Sequence, residues 1–130
     1  MANKESSIAY ENLNRRIFPG VGEYGIPRLE AETFEGNCEF VGFNYARGNC
    51  RNPEEKAVHF FIDDYQFDAL WRNVDRYVDK LRQFRYVLTP DFSTYTDFPK
   101  AIQIYNHYRK HWVGAYLQEY GCRVIPTISW

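Results

Sequence analysis

A chain of 130 residues has room for one domain with one core, and its 16 Lys and Arg against 17 Asp and Glu leave a net charge of −1. That balance supplies no general attraction to nucleic acid or to an anionic membrane, so nucleic-acid binding is not indicated. At 45% hydrophobic and 18% aromatic residues, the composition is that of a folded domain and not of a disordered one.

No apolar stretch reaches membrane-spanning length. "MANKESSIAYENLNRRIF", residues 1–18, spreads its charges throughout and lacks the apolar centre of a signal peptide. Cys38, Cys50 and Cys122 are odd in number and their spacing fits no zinc or CxxC pattern. A reduced, cytoplasmic protein is the simplest account, with a Cys38–Cys50 pairing as the less economical one.

We read residues 1–130 as a single α/β domain in which 1–36 form an irregular lead-in and 37–130 a βαβαβ core. "FPGVGEYGIPRLEAE" shows neither helical nor strand periodicity, and its glycines and prolines punctuate it. "CEFVGFNYA" reads as a short strand, and the loop "RGNCRNPEEK" follows. "AVHFFID", residues 57–63, is a continuous apolar run of the kind buried on both faces of a parallel sheet. Next, Phe67, Leu70, Trp71, Val74, Tyr77, Val78, Leu81 and Phe84 recur at steps of three and four, the stripe of one amphipathic helix. The charges opposite that stripe read as a solvated face with i,i+4 pairs.

"YVLTPDF" is a second short strand that ends on an acid. Thr96 or Asp97 then offers a helix N-cap with Pro99 in the first turn. A long helical pattern continues through Ala101, Ile102, Tyr105, Tyr108, Trp112, Val113, Tyr116 and Leu117 to Gly121, which suits the C′ position. "RVIPTISW" reads as the last strand. Strands that alternate with helices in this way indicate right-handed βαβ units, and a small parallel or mixed sheet of about four strands with two main helices. Part of a βα barrel fits this better than a doubly wound sheet.

In such folds, ligands and catalytic groups gather at the carboxyl ends of the strands. Asn44, Asp63, Asp64, Asp91, Ser129 and Trp130 all fall there. Two carboxylates held together could bind a divalent metal through hard oxygens or divide into acid and base, while the bland reading of each Asp is a helix cap or turn. Arg47 is placed to meet an anion and Tyr65 to stack on a base or sugar, although solvated arginine and packed tyrosine are the commoner roles. His107 and His111, four apart in "HYRKH", share a helix face but lack the glutamate and third ligand of a zinc site. His59 suits a core histidine with a bonded ring. Ser93 has no glycine-flanked elbow. "GVGEYG" matches G-x-G-x-x-G without the strand and helix that a phosphate loop needs.

Taken together, "VGFNYAR", "HFFIDDYQFDALW", "LTPDFSTYTDFPKAIQIYNHYRKHWVGAYLQEYG" and "VIPTISW" resemble the uncharacterised bacterial and phage family DUF4417 over about residues 20–130. The resemblance implies an intracellular setting in a bacterial host and a role in phage or mobile-element biology. Members of the family carry further sequence beyond the equivalent of "PTISW", which implies a shortened form here. An open sheet edge would then favour pairing with itself or with a host protein. Two functions follow as expectations. One is a protein that acts by contact with a host or self partner, for instance in counter-defence. The other is an enzyme for metal-assisted hydrolysis, with Asp63 and Asp91 as metal ligand or base and Asn44 orienting the substrate. The cofactor is unknown, with a divalent metal as the candidate.

Overall fold

The computed structural model describes residues 15–128. In chain order the strands are β1 (Gly20–Val21), β2 (Ile26–Pro27), β3 (Glu39–Gly42), β4 (Lys56–His59), β5 (Tyr86–Leu88) and β6 (Val124–Ile125). The α-helices are α1 (Phe43–Ala46), α2 (Asp68–Arg72), α3 (Asp75–Leu81) and α4 (Lys100–Glu119). Single 3-10 turns occupy Pro53–Glu55 and Asp64–Gln66.

Strands β3 to β6 form one sheet in the order β3-β4-β5-β6, every neighbouring pair parallel. Sequential order with right-handed crossovers puts all crossover helices on one side of the sheet, as in a barrel, whereas a doubly wound sheet reverses its order and distributes helices over both. The α/β class and the βα winding are therefore as expected, and the four strands do not close a barrel.

Alternation along the strands divides two clusters. Val58, Val87 and Val124 point into a large core with Phe43, Phe60, Phe67, Leu70, Trp71, Tyr77, Phe92, Trp112 and Leu117. Ala57, Tyr86 and Leu88 point the other way, into a small cluster with Cys38 and Ile125. The buried residues of α1, α2 and α3 belong to the large core, as do Trp112, Val113, Ala115 and Leu117 of α4. An extended segment covers the small cluster. Phe34 tilts onto Tyr86 and stacks on Phe40, while the Tyr86 hydroxyl donates to the Thr33 carbonyl and accepts from the Glu35 amide.

Several elements differ from the sequence reading, each for a local reason. The lead-in holds an antiparallel hairpin, β1 with β2, and the G-x-G-x-x-G match is its turn. Gly22 and Gly25 take φ of +77° and +62°, the left-handed region that glycine enters without cost. The first core strand stops at Gly42 and Phe43 begins a one-turn helix, which sends both Phe43 and Ala46 into the core. The helix expected over 66–84 breaks at Asn73, whose φ and ψ of −147° and 65° are not helical, while its apolar stripe is buried as expected. Asn commonly interrupts helices because its side chain competes for backbone bonds. The Arg72 carbonyl is met there by the Arg15 guanidinium.

Neither Thr96 nor Asp97 caps α4. The cap position falls on Pro99, in an extended conformation with no side-chain cap, and Lys100 is the first helical residue. A proline disfavours the α region for the residue before it, which keeps Phe98 out of the helix. The amino-terminal half of α4 is also rotated from the expected stripe: Ala101, Ile102 and Tyr105 face outward, and Asn106 and Lys110 face in.

The other end of α4 follows expectation. Gly121 lies at C′ with φ of +95°; its amide donates to the Gln118 carbonyl and the Cys122 amide to the Leu117 carbonyl, closing a Schellman motif. All three cysteines are free. Gly121→Ala should cost about 1 kcal/mol, because a Cβ is strained at that φ. Gly36→Ala, at ordinary φ with open space around it, should not destabilise. A lowered urea midpoint with an unchanged slope for the first variant alone is the expected result.

Candidate functional site

Each of the last three sheet strands runs straight into a loop at its carboxyl end. The loop after β4 carries Asp63 and Asp64, the loop after β5 carries Asp91 and Ser93, and the segment after β6 carries Thr127. The strands are shorter than their apolar runs, so the acids stand three to five residues beyond the last strand residue and not on it. That distance lets the loops fold back over the sheet. Between the loops lies a cleft of about 520 Å³, lined by Asp63, Asp64, Asp91, Ser93, Tyr95 and Ile128 among others.

The carboxylates are engaged in different ways. Asp64 accepts hydrogen bonds from both the backbone N–H and the hydroxyl of Ser93, each at 3.1 Å, which clamps the β4 loop to the β5 loop. The Ser93 carbonyl in turn accepts from Asn106 Nδ2 of α4 at 2.5 Å. Asp91 pairs with Lys110 of α4, its oxygen 3.3 Å from Nζ, while Nζ also donates to the Thr127 carbonyl at 3.1 Å. The Lys110 side chain is only 2% exposed, so desolvating its charge would be costly without those acceptors. Asp63 stands at the cap position of the 3-10 turn without a side-chain cap bond, and it is exposed.

The structure thus brings Asp63, Asp64 and Asp91 to one cleft and disperses the other candidates. Asn44 sits in α1, outside the cleft lining, with its Oδ1 buried and without a hydrogen-bond partner. Tyr65, 79% exposed, borders a separate groove beside α2 with Arg72 and Arg76. Arg47 lies over the Phe43 and Tyr77 rings and donates to the Tyr77 hydroxyl at 3.0 Å, a packing role next to α1. Ser129 and Trp130 lie outside the described residues.

Three histidines complete the ionisable groups of interest. His59 accepts from the Phe61 amide through Nδ1 at 3.2 Å and stacks on the Phe61 ring, and burial lowers its pKa. His107 and His111 pack with tilted rings whose centroids are 4.4 Å apart. Burial lowers the pKa of both; the charge of Lys110 adds to this for His107, and for His111 the neighbouring His107 and then Lys110 add to it against the opposing bond to the Pro27 carbonyl. Among the described residues no group of three or more His, Cys, Asp or Glu converges as a metal site.

Sequence reasoning missed Lys110. Its signal was positional, since it lies four after Asn106 and three before Val113 on one helical face, and Val113 is fully buried. A cation in register with a buried stripe calls for an acid, and Asp91 is that acid.

Fold and site together define a singly wound, parallel α/β domain with an acidic cleft at its strand ends. The chain belongs to DUF4417, a domain of unknown function, which matches residues 18–130. It is 50% identical over 123 residues to the Gene 1 protein of Mycobacterium phage L5, an alignment that covers 93% of this chain and 53% of that protein. To the Gene 1 protein of Mycobacterium phage D29 it is 37% identical over 128 residues, covering 93% and 45% respectively. The chain therefore spans about half the length of the curated relatives it matches. No solved structure matches. A phage-associated family, inferred above from sequence strings, is thereby established. No helix among the described residues is long and apolar enough to cross a membrane.

Lys110→Ala should cost about 3 kcal/mol, the lower end for breaking a buried pair, because the Asp91 side chain is 27% exposed and can rehydrate. Lys110→Met combined with Asp91→Asn should cost less than the sum of the single changes by about 1 kcal/mol. Urea unfolding of Lys110→Ala, Lys110→Met, Asp91→Asn and the double variant measures both; strict additivity would mean that the pair is not coupled.

Proposed function

We propose that this chain is an intracellular phage protein that acts by protein contact, and that its parallel sheet is completed by a second copy of itself. One observation carries the reading: the helices cover one face of an all-parallel sheet, and an extended segment alone covers the other. All-parallel sheets are stable almost only with both faces covered. On the less covered side, aromatic rings remain open to solvent, with Phe34 38%, Phe40 53% and Phe61 59% exposed.

A second copy fits for two reasons. The outer edges of β3 and β6 are unpaired among the described residues, and each offers a parallel partner to the other edge of a second copy. Joining both edges across a two-fold axis along the strands gives eight parallel strands, the number that closes a βα barrel once the segment around Phe34 leaves the face it covers. A host target, such as a defence complex, would compete with the second copy for that face.

The metal-assisted hydrolase is the weaker reading. Asp64 is spent on Ser93 and Asp91 on Lys110, which leaves Asp63 as the acid of the cleft with no such tie shown.

The test is sedimentation of the purified chain over about 1 to 100 μM, a range that brackets a micromolar dimer. A dimer that Phe40→Asp or Phe61→Asp dissociates, and that Tyr65→Ser on the helix side leaves intact, is the expected outcome. A monomer throughout, or a dimer indifferent to both aspartate changes, would overturn the self-association.

A further inference from the structure

Beside the acidic cleft lies a second one of the opposite character. It has about 590 Å³ between the β1–β2 hairpin, the first half of α4 and the segment after β6. Its polar groups include Lys100, His107, Lys110, His111, Thr94 and Thr96, and its lining contains no carboxylate. The neighbouring cleft holds three carboxylates and no cation. In a chain of net charge −1 this is a local segregation of sign, with the Asp91–Lys110 pair as its seam. A cleft of this volume suits a small organic ligand. Ile26, Ile104 and Pro126 supply apolar wall for the body of such a molecule, and the hydroxyls and cations supply donors for an anionic group.

We propose that this cleft binds a small phosphate-bearing molecule, its phosphate held by His107, His111 and Lys100 and its body by the apolar wall. The histidines share one face of α4. His111 is oriented by its Nδ1, which lies 3.1 Å from the Pro27 carbonyl and donates to it, so Nε2 is left to meet the ligand. Lys110, buried behind the rings, contributes positive potential in a site partly shielded from water.

The groups that face the imidazoles set the pH dependence. They are Lys110 on α4 itself, the Pro27 carbonyl and Tyr24 from the hairpin, Lys100 at the opening, and Asp91 across Lys110. In the free protein burial and the nearby lysine hold both histidines below the ordinary imidazole range. A bound dianion favours their charged forms, so binding takes up protons. Affinity is therefore greater at low pH and falls as pH rises through the pKa values of the bound state.

The experiment follows the His107 and His111 ring resonances of the full chain by NMR while inorganic phosphate, or in a parallel arm adenosine 5′-monophosphate, is added. Saturable shifts in both histidines are expected, with the nucleotide binding about tenfold or more tightly if the apolar wall is used. Equal affinity for the two would overturn the role given to the apolar wall. Sulfate, a dianion throughout the range, isolates the pH effect from the titration of phosphate; its affinity should rise about tenfold from pH 8 to pH 6. His107→Gln with His111→Gln should abolish the pH effect and weaken phosphate by at least tenfold. Should that variant fail to fold, Lys100→Ala, at an exposed position, should weaken it several-fold. Absence of saturation by either phosphate probe, or phosphate binding unchanged in the folded variants, would overturn the proposal.

Discussion

The buried ammonium of Lys110 constrains the whole carboxyl end of the sheet. A charge that is 2% exposed has to be met, and it is met by a carboxylate from the β5 loop and a carbonyl from the segment after β6. Thr89 and Thr127 tie those two segments to each other, through a hydroxyl pair at 2.9 Å and a Thr127 amide that donates to the Thr89 hydroxyl. Helix α4 is thereby fixed in position against the ends of β5 and β6. The two clefts share Thr94 and Ile128 and meet at this pair, so their shapes depend on it.

A second lock runs alongside. Asp64 holds Ser93, Ser93 holds Asn106, and Asn106 accepts from Arg109 at 2.5 Å, while the Arg109 guanidinium lies 4.1 Å from the Phe92 ring centroid. Both chains of contacts join strand-end loops to the same helix. Polar groups at strand ends are often read as chemistry, yet two of these three acids spend their oxygens on holding loops in place. The reason is geometric: short strands leave loops several residues long over the sheet, and such loops need tertiary hydrogen bonds where backbone ladders are absent.

The sequence reading succeeded where periodicity reports burial. Phe67 to Phe84 keeps its stripe buried through the Asn73 break, and the Schellman glycine at 121 is where the pattern put it. The parallel order followed from alternation of strands and helices. What was illegible depended on tertiary partners. The aromatic residues at the start of α4 mimic a core stripe, whereas Ile102 and Tyr105 are exposed and Lys110 is buried, and the residues that the helix buries begin only at Asn106. No local pattern distinguishes an aromatic residue that packs from one that faces solvent. The hairpin was obscured by strands only two residues long, too short for any alternation to show.

The aromatic content has a structural logic that bears on how the protein works. Most of the large buried rings pack on the helix side, among them Phe43 stacked on Phe60, Phe67 tilted against Phe92 and Trp71 edge-on to Trp112. The opposite side keeps one fully buried ring, Tyr86, flanked by Arg123 and covered by Phe34. Hydrophobic burial is therefore one-sided, and each exposed ring on the thinner side is apolar area still in contact with water, a gain of about 25 cal/mol per Å² that an added layer would collect. Charge is distributed in the same uneven way, with carboxylates and cations sorted into adjacent clefts under a net charge near zero. Whole-chain composition concealed both asymmetries. The first arises from winding all crossovers to one side, which gives the sheet one face covered by helices and one covered more thinly.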